Sequence, residues 1–275
     1  MRFSNLLYAS KKNRHLDMWL RAGGLLICIL FCIVSAGVFF FVDKNKEAVM
    51  ALLSILLCLL PPLVQILFSC RIATPIYLVT LVYALGGLIG NGYGLYYLTA
   101  WWDKGLHTLA GVLFALFGMF LAARLNREKP CSLWLRVVFA LCFSMAISVL
   151  WEFFECSMDM FCGTDMQKDT WISAFNSVAI NPDGVNVPVH VDVDSVTVNG
   201  QVWQQYLDIG LYDTMQDLFV NFIGAVVFSI IGYIYIKNRG RGIAAEFIPT
   251  MDMEKFEEIK EEHQEELDHL LHDKL

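Results

Sequence analysis

"DKGLHTLAGVLFALFGMFLAARL", residues 103–125, decides how the chain is read. From Thr108 to Leu125 the only charge is Arg124, and about twenty such residues form a helix that crosses a ~30 Å hydrocarbon layer. The stretch nevertheless opens with Asp103, Lys104 and His107, so an acid and an imidazole stand one helical turn apart where a span begins. Ionisable groups at that depth face a bundle interior or a water-filled cavity.

Working outward, 57% of the 275 residues are hydrophobic and 17% are charged, with a mean hydropathy of +0.54. That composition excludes a soluble domain of this size. The expected fold is an all-α membrane bundle of about six helices, at about 20–42, 48–70, 76–100, 104–125, 133–155 and 214–236. The runs do not alternate in polarity as barrel strands do. The first run follows "KKNRHLDMWLR" without a small-residue cleavage site and reads as a retained span. Residues 1–19 then form an N-terminal cytoplasmic segment, 20–155 the first five spans, 156–212 an outer loop, 213–236 the sixth span, and 237–275 a cytoplasmic tail.

Charge sets the orientation. With the N-terminus inside, thirteen Lys and Arg flank the spans on the inner side and four lie outside. An even number of spans places the C-terminus inside as well. From Asp252 onward the chain holds ten acids and three bases, so the whole formal charge of −7 resides in the tail. There Phe256, Ile259, Leu267, Leu270 and Leu271 recur at near-helical spacing, which suits a partner-docking or coiled-coil helix or a solvated tail.

This orientation delivers three polar pairs to the outer side: Asp103/His107 opening the fourth span, Glu152/Glu155 closing the fifth, and Asp213/Asp217 opening the sixth, with Asn221 one turn on; Asn221 and Asn91 are the candidate polar lining of a substrate site. Each pair lies on one helix face. Asp103 and Asp213 also fit as ordinary acids at helix N-termini. Two glutamates at a helix C-terminus oppose the dipole and repel each other, and a bound cation, a protonated histidine or shared protons relieve both problems. His107, Glu152, Glu155, Asp213 and Asp217 are the candidate metal ligands. Oxygen-rich donors with one imidazole suit a divalent ion, with zinc or manganese foremost. Glu155 or Asp103 is the candidate general base, and Lys104 the group that neutralises a phosphate.

In order, Asp103-Lys104-x-x-His107, Glu152-x-x-Glu155 and Asp213-Thr214-x-x-Asp217-x-x-x-Asn221-x-x-Gly224 resemble the YjdF-like and VanZ-like families of small bacterial integral membrane proteins, over roughly residues 76–236. The resemblance implies a multi-pass protein of the bacterial inner membrane. The 156–212 segment is longer than a VanZ-like member implies, and the acidic tail is foreign to that pattern.

Other stretches refine the picture. Gly86, Gly90 and Gly94 in "LGGLIGNGYG" form a small-residue stripe for close helix packing; alternatively, with Asn91, they interrupt the third span and line the polar site. Tyr93, Tyr96, Tyr97, Trp101 and Trp102 suit an interfacial aromatic belt. Pro61-Pro62 should kink the second span or make it re-entrant. Between 156 and 212, alternating valines and Asn199-Gly200 predict a β-hairpin cap, from which His190, Asp192 and Asp194 either reach the site or stay solvated. Cys156 and Cys162 share this segment and are the one candidate disulfide.

The expected function is a metal-dependent hydrolase or transferase acting at the outer leaflet on a lipid or lipid-linked envelope substrate, in contact with membrane lipids. A proton- or cation-coupled transporter and a non-enzymatic binding or sensory protein are the alternatives; beyond Asn221 and Gln65 the spans offer a transport route almost no polar residues. No basic face interleaved with aromatics suggests nucleic acid.

Overall fold

The computed structural model describes residues 14–68, 70–99, 101–125, 132–237 and 250–251. The first thirteen residues, Cys131 and the acidic tail beyond Met251 lie outside them. Five helices among the described residues are long and apolar enough to cross a membrane: Leu16–Phe41, Asn45–Leu67, Trp101–Leu125, Leu133–Cys162 and Leu211–Lys237. The chain divides into two units, residues 1–145 with 221–275 and residues 146–220.

In the first unit, α1 (Arg14–Phe41) and α2 (Asn45–Cys58) are joined by a turn in which Asp43 takes φ 59°. Their shared face is lined with small side chains, namely Cys32 and Ala36 on α1 with Ala48, Ala51 and Cys58 on α2. Leu26, Ile27, Val34, Leu52, Leu53 and Leu56 point outward. A soluble helix pair would hide those residues; a hydrocarbon solvent leaves van der Waals packing to hold helices, and small residues allow close approach.

The helix breaks after Cys58 and resumes as α3 (Leu60–Leu67), with Pro61 and Pro62 in its first turn. The prolines lack the N–H groups that would continue the ladder, so the helix is interrupted there within one apolar run. Arg21 of α1 braces the break. Its Nε donates to Thr74 Oγ1 at 3.0 Å and its Nη1 to Gln65 Oε1 at 3.1 Å, while the guanidinium lies 5.8 Å from the Tyr77 ring centre. A two-residue strand β1 (Cys70–Arg71) pairs antiparallel with Thr250–Met251.

The expected third span is not one continuous helix. It comprises α4 (Thr74–Ala84), a π-helical turn at Leu88–Gly92 and the single turn α5 (Leu95–Leu98). Glycine density explains the interruption, since Gly94 adopts φ +80°, a left-handed conformation that glycine reaches without steric cost. Neighbouring side chains take up the loosened backbone: Trp102 Nε1 donates to the Gly86 carbonyl at 3.1 Å, and Tyr96 fills the space above Gly90. The aromatic belt is therefore divided in role. Tyr97 and Trp101 are exposed, whereas the Tyr93 hydroxyl pairs with Ser35 Oγ at 2.8 Å and its ring packs on Phe31 and Phe39.

Next come α6 (Trp101–Leu125) and α7 (Leu133–Cys162). Past residue 155, where the apolar run ends, α7 continues for two more turns to Gly163, which takes φ +61° and ends the helix in the manner of a left-handed C-cap. The glutamate pair thus lies inside a helix rather than at its C-terminus. Cys156 and Cys162 both sit on this helix as free thiols. Six residues of helix separate their Cα atoms by about 9 Å, beyond the reach of a disulfide, so the candidate bridge does not form.

In the second unit, the loop that follows α7 carries three antiparallel strand pairs. β2 (Thr170–Ile172) pairs with β7 (Tyr206–Asp208), β3 (Ala174–Ser177) with β4 (Val189–Asp192), and β5 (Val196–Val198) with β6 (Gln201–Trp203). The predicted hairpin is present at Asn199-Gly200, with φ values of 49° and 78°, the doubly positive pattern of a type I′ turn. The chain then enters α8 (Leu211–Lys237).

Candidate functional site

Helix α7 presents a polar stripe on its buried side. Ser144, Ser148, Glu152 and Glu155 recur at helical spacing and are all buried, Glu152 at 3% exposure and Glu155 at 7%. Its other side carries Leu150, Trp151, Phe153 and Phe154, all exposed. Helix α8 repeats the arrangement: Asp213, Asp217, Asn221 and Ala225 are buried, with Asp217 and Asn221 at 0%, while Met215, Phe219, Phe222 and Ile223 face outward. These helices are amphipathic in the inverted sense, with apolar residues toward the solvent and ionisable ones within, as expected where the solvent is lipid.

In the second unit, the ligand oxygens of Glu152 and Glu155 lie within 4.8 Å of each other. Two carboxylates at that separation repel when both are charged, and a cation between them relieves the repulsion. Residues 146–220 contain eleven Asp and Glu, and Lys168 is their only Lys or Arg.

Much of the loop acidity has structural partners. Asp159 Oδ1 accepts from Thr164 Oγ1 at 2.7 Å and from the Met166 N–H at 2.7 Å, and its Oδ2 accepts from the Gln167 N–H at 2.8 Å. The Lys168 N–H donates to Asp213 Oδ2 at 2.7 Å, and Gln167 Nε2 donates to Thr214 Oγ1. Asp213 therefore commits one oxygen to fastening the loop to the first turn of α8. Asp208 accepts from the Tyr212 N–H at 2.8 Å and caps that helix start. Neither Asp159 nor Asp208 stood out by spacing, although an acid shortly before a helix start was a readable signal for Asp208.

His190, Asp192 and Asp194 are exposed on the β-segment. His190 Nε2 is 3.5 Å from Asp192 Oδ1 and its Nδ1 is 3.0 Å from Asn176 Oδ1. This is the solvated alternative: the cross-strand register, with Asn176 opposite His190, accounts for the pairing.

In the first unit, Asp103 lies in the first turn of α6, His107 is buried, and His107 Nε2 stands 3.8 Å from Asp103 Oδ1. Lys104 Nζ is 3.4 Å from Asp103 Oδ2, so that acid stands between a lysine and an imidazole. Asn221 is fully enclosed and lines no open surface. Its Nδ2 donates to the His107 carbonyl at 3.4 Å, and its Oδ1 lies 3.3 Å from the Ser144 hydroxyl. Asn91 lies in the π-helical turn and is exposed, outside the buried polar stripes.

Chemically, the second unit offers a buried dicarboxylate with a further acid pair on α8, and the first unit offers an imidazole with an adjacent acid. Carboxylate oxygens and an imidazole nitrogen are the donors that Mn²⁺, Zn²⁺ and Fe²⁺ accept, and their types fit a divalent ion.

No curated protein and no solved structure matches the chain. A family model described as a predicted membrane protein does match, over residues 24–238, an interval that takes in α2 to α8 and most of α1. The chain is accordingly a member of the predicted membrane protein family DUF2238.

Proposed function

We propose that the protein is a multi-pass enzyme of the bacterial inner membrane, a metal-dependent hydrolase or transferase for a lipid or lipid-linked envelope substrate. The observation that carries this reading is the Glu152/Glu155 pair, buried and within 4.8 Å. Insertion scales put roughly 2.5–3.5 kcal/mol on a single charged residue at the centre of a membrane helix. A dicarboxylate kept at that cost is explained by a cation that neutralises it.

In this reading Glu152, Glu155, Asp213 and Asp217 hold the ion in the second unit, and His107 beside Asp103 is the ligand that the first unit offers. The ion supplies positive charge that polarises a phosphoryl or acyl oxygen and makes water more acidic. Asp103, 3.8 Å from His107 and 3.4 Å from Lys104, takes the proton of the attacking water. Lys104 offsets the charge of a phosphate-bearing substrate. The outward Phe and Leu side chains of α7 and α8 suit a substrate that arrives from the lipid phase.

The likeness to YjdF-like and VanZ-like envelope proteins supports the location. So does the Lys/Arg bias, which keeps both termini cytoplasmic if the interrupted α4–α5 segment completes a sixth crossing. Broken helices cross membranes where protein surrounds the exposed backbone.

The test is product release from phospholipid and polyprenyl phosphate in proteoliposomes, with Mn²⁺ or Zn²⁺ supplied or chelated. The expected result is turnover that needs the ion and falls at least a hundredfold in Glu152→Gln and His107→Ala. Uptake of the cation or of protons into the vesicle lumen, without turnover, would replace this reading with transport.

A further inference from the structure

Helices α6 and α8 meet without side chains between them at two reciprocal points. A Cβ on Gly111 would collide with the main-chain carbonyl oxygen of Asn221, and a Cβ on Gly224 with that of Thr108. Each helix thus sets one carbonyl into a notch that only glycine leaves open. Between the notches, Asn221 uses its side chain as well: Nδ2 donates to the His107 carbonyl at 3.4 Å, and Oδ1 lies 3.3 Å from Ser144 Oγ, whose single O–H is shared between that oxygen and the Gly111 carbonyl at 3.1 Å. Asn221 and Ser144 are both at 0% exposure. Enclosing an amide this completely is costly unless its polar atoms are satisfied, and here the acceptor of its N–H, the His107 carbonyl, belongs to the backbone turn that bears the imidazole.

We infer that Asn221 is a positioning residue, which acts through His107 by fixing the main chain of α6 so that the imidazole is held ready as a ligand. This inference rests on the cation reading above. It separates Asn221 from Asp217 one turn earlier on the same face: Asp217 is a ligand, whereas Asn221 sets a ligand's place. Groups that orient a metal ligand typically change metal affinity 10–100-fold when altered.

The test is Mn²⁺ and Zn²⁺ titration of the full-length protein in lipid nanodiscs, for the parent, Asn221→Leu, His107→Ala and the double variant, with thermal unfolding run alongside. Asn221→Leu should weaken binding 10–100-fold, and in the His107→Ala background it should cause no further loss, because its effect is routed through the imidazole. A purely architectural role gives losses that add in the double variant, and that outcome overturns the inference. Unchanged affinity in Asn221→Leu overturns it while leaving the cation reading in place. Absence of binding in the parent removes both. If Asn221→Leu does not fold, Ser144→Ala, which keeps the amide and removes one partner, should weaken binding severalfold in the parent and not in His107→Ala; equal effects in both backgrounds overturn the inference.

Discussion

Helices α1 and α2 bury cysteine, alanine and serine, whereas α6, α7 and α8 also bury histidine, glutamate, aspartate and asparagine. Both groups turn leucine, isoleucine, valine and phenylalanine outward. The outward faces are alike because they answer to one solvent, lipid, and they say little about function. The buried faces differ because one has only to pack, while the other keeps ionisable groups at a cost that packing does not require.

The comparison breaks most severely at the backbone contacts. Gly111→Val and Gly224→Val force side chains against the carbonyls of Asn221 and Thr108 and should destabilise the protein by at least the 1–3 kcal/mol typical of overpacking, seen as a large fall in thermal midpoint in detergent. Gly23→Ala on α1, where nothing lies within 4 Å, should be neutral or stabilising by up to about 1 kcal/mol. A similar fall at Gly23 would erase the distinction between the two helix sets.

Removing the cation comes next. A ligand present at a hundred times its Kd stabilises the state that binds it by about 2.7 kcal/mol. Chelation should therefore lower the midpoint of the parent and leave that of the Glu152→Gln, Glu155→Gln double variant unchanged. Without added metal the double variant should be the more stable of the two, since it lacks the repulsion between the carboxylates.

Smaller effects sharpen the same contrast. Cys32→Ser brings a hydroxyl into the α1–α2 face and should cost about 1–3 kcal/mol if left unsatisfied. Cys32→Ala should cost less, because that face asks only for a small side chain. In the loop, Gly200→Ala opposes a φ of 78° and should cost about 1–2 kcal/mol, as local fraying of β5–β6 in hydrogen exchange without change in cation binding.

Much of this was legible in the sequence. The apolar runs gave α1, α2, α6, α7 and α8 because span length is a property of the solvent. Pro61-Pro62 marked the break in α2–α3, and Asn199-Gly200 marked its hairpin, each through a local backbone constraint. The polar pairs were readable as pairs because helical spacing is fixed. Three features were legible in part or not at all. The interruption at Leu88–Gly92 was one of two readings of the glycines, and the choice between them depends on Trp102 and Tyr96 supporting a loosened backbone, a tertiary effect. The two extra turns of α7 run through "CSMDMFC", which has no apolar period and is stopped by Gly163. Asn221 looked like a lining residue because spacing reports which face a residue occupies and not how closely another backbone approaches that face.

The most direct test of the central claim is the divalent metal retained by the purified full-length protein after equilibration with Mn²⁺ or Zn²⁺ and removal of free ion, measured by elemental analysis for the parent and for the Glu152→Gln, Glu155→Gln double variant. A stoichiometric ion in the parent that disappears in the variant is the predicted result. Equal metal in both proteins, or none in the parent, would contradict the claim that the buried dicarboxylate is there to hold a cation.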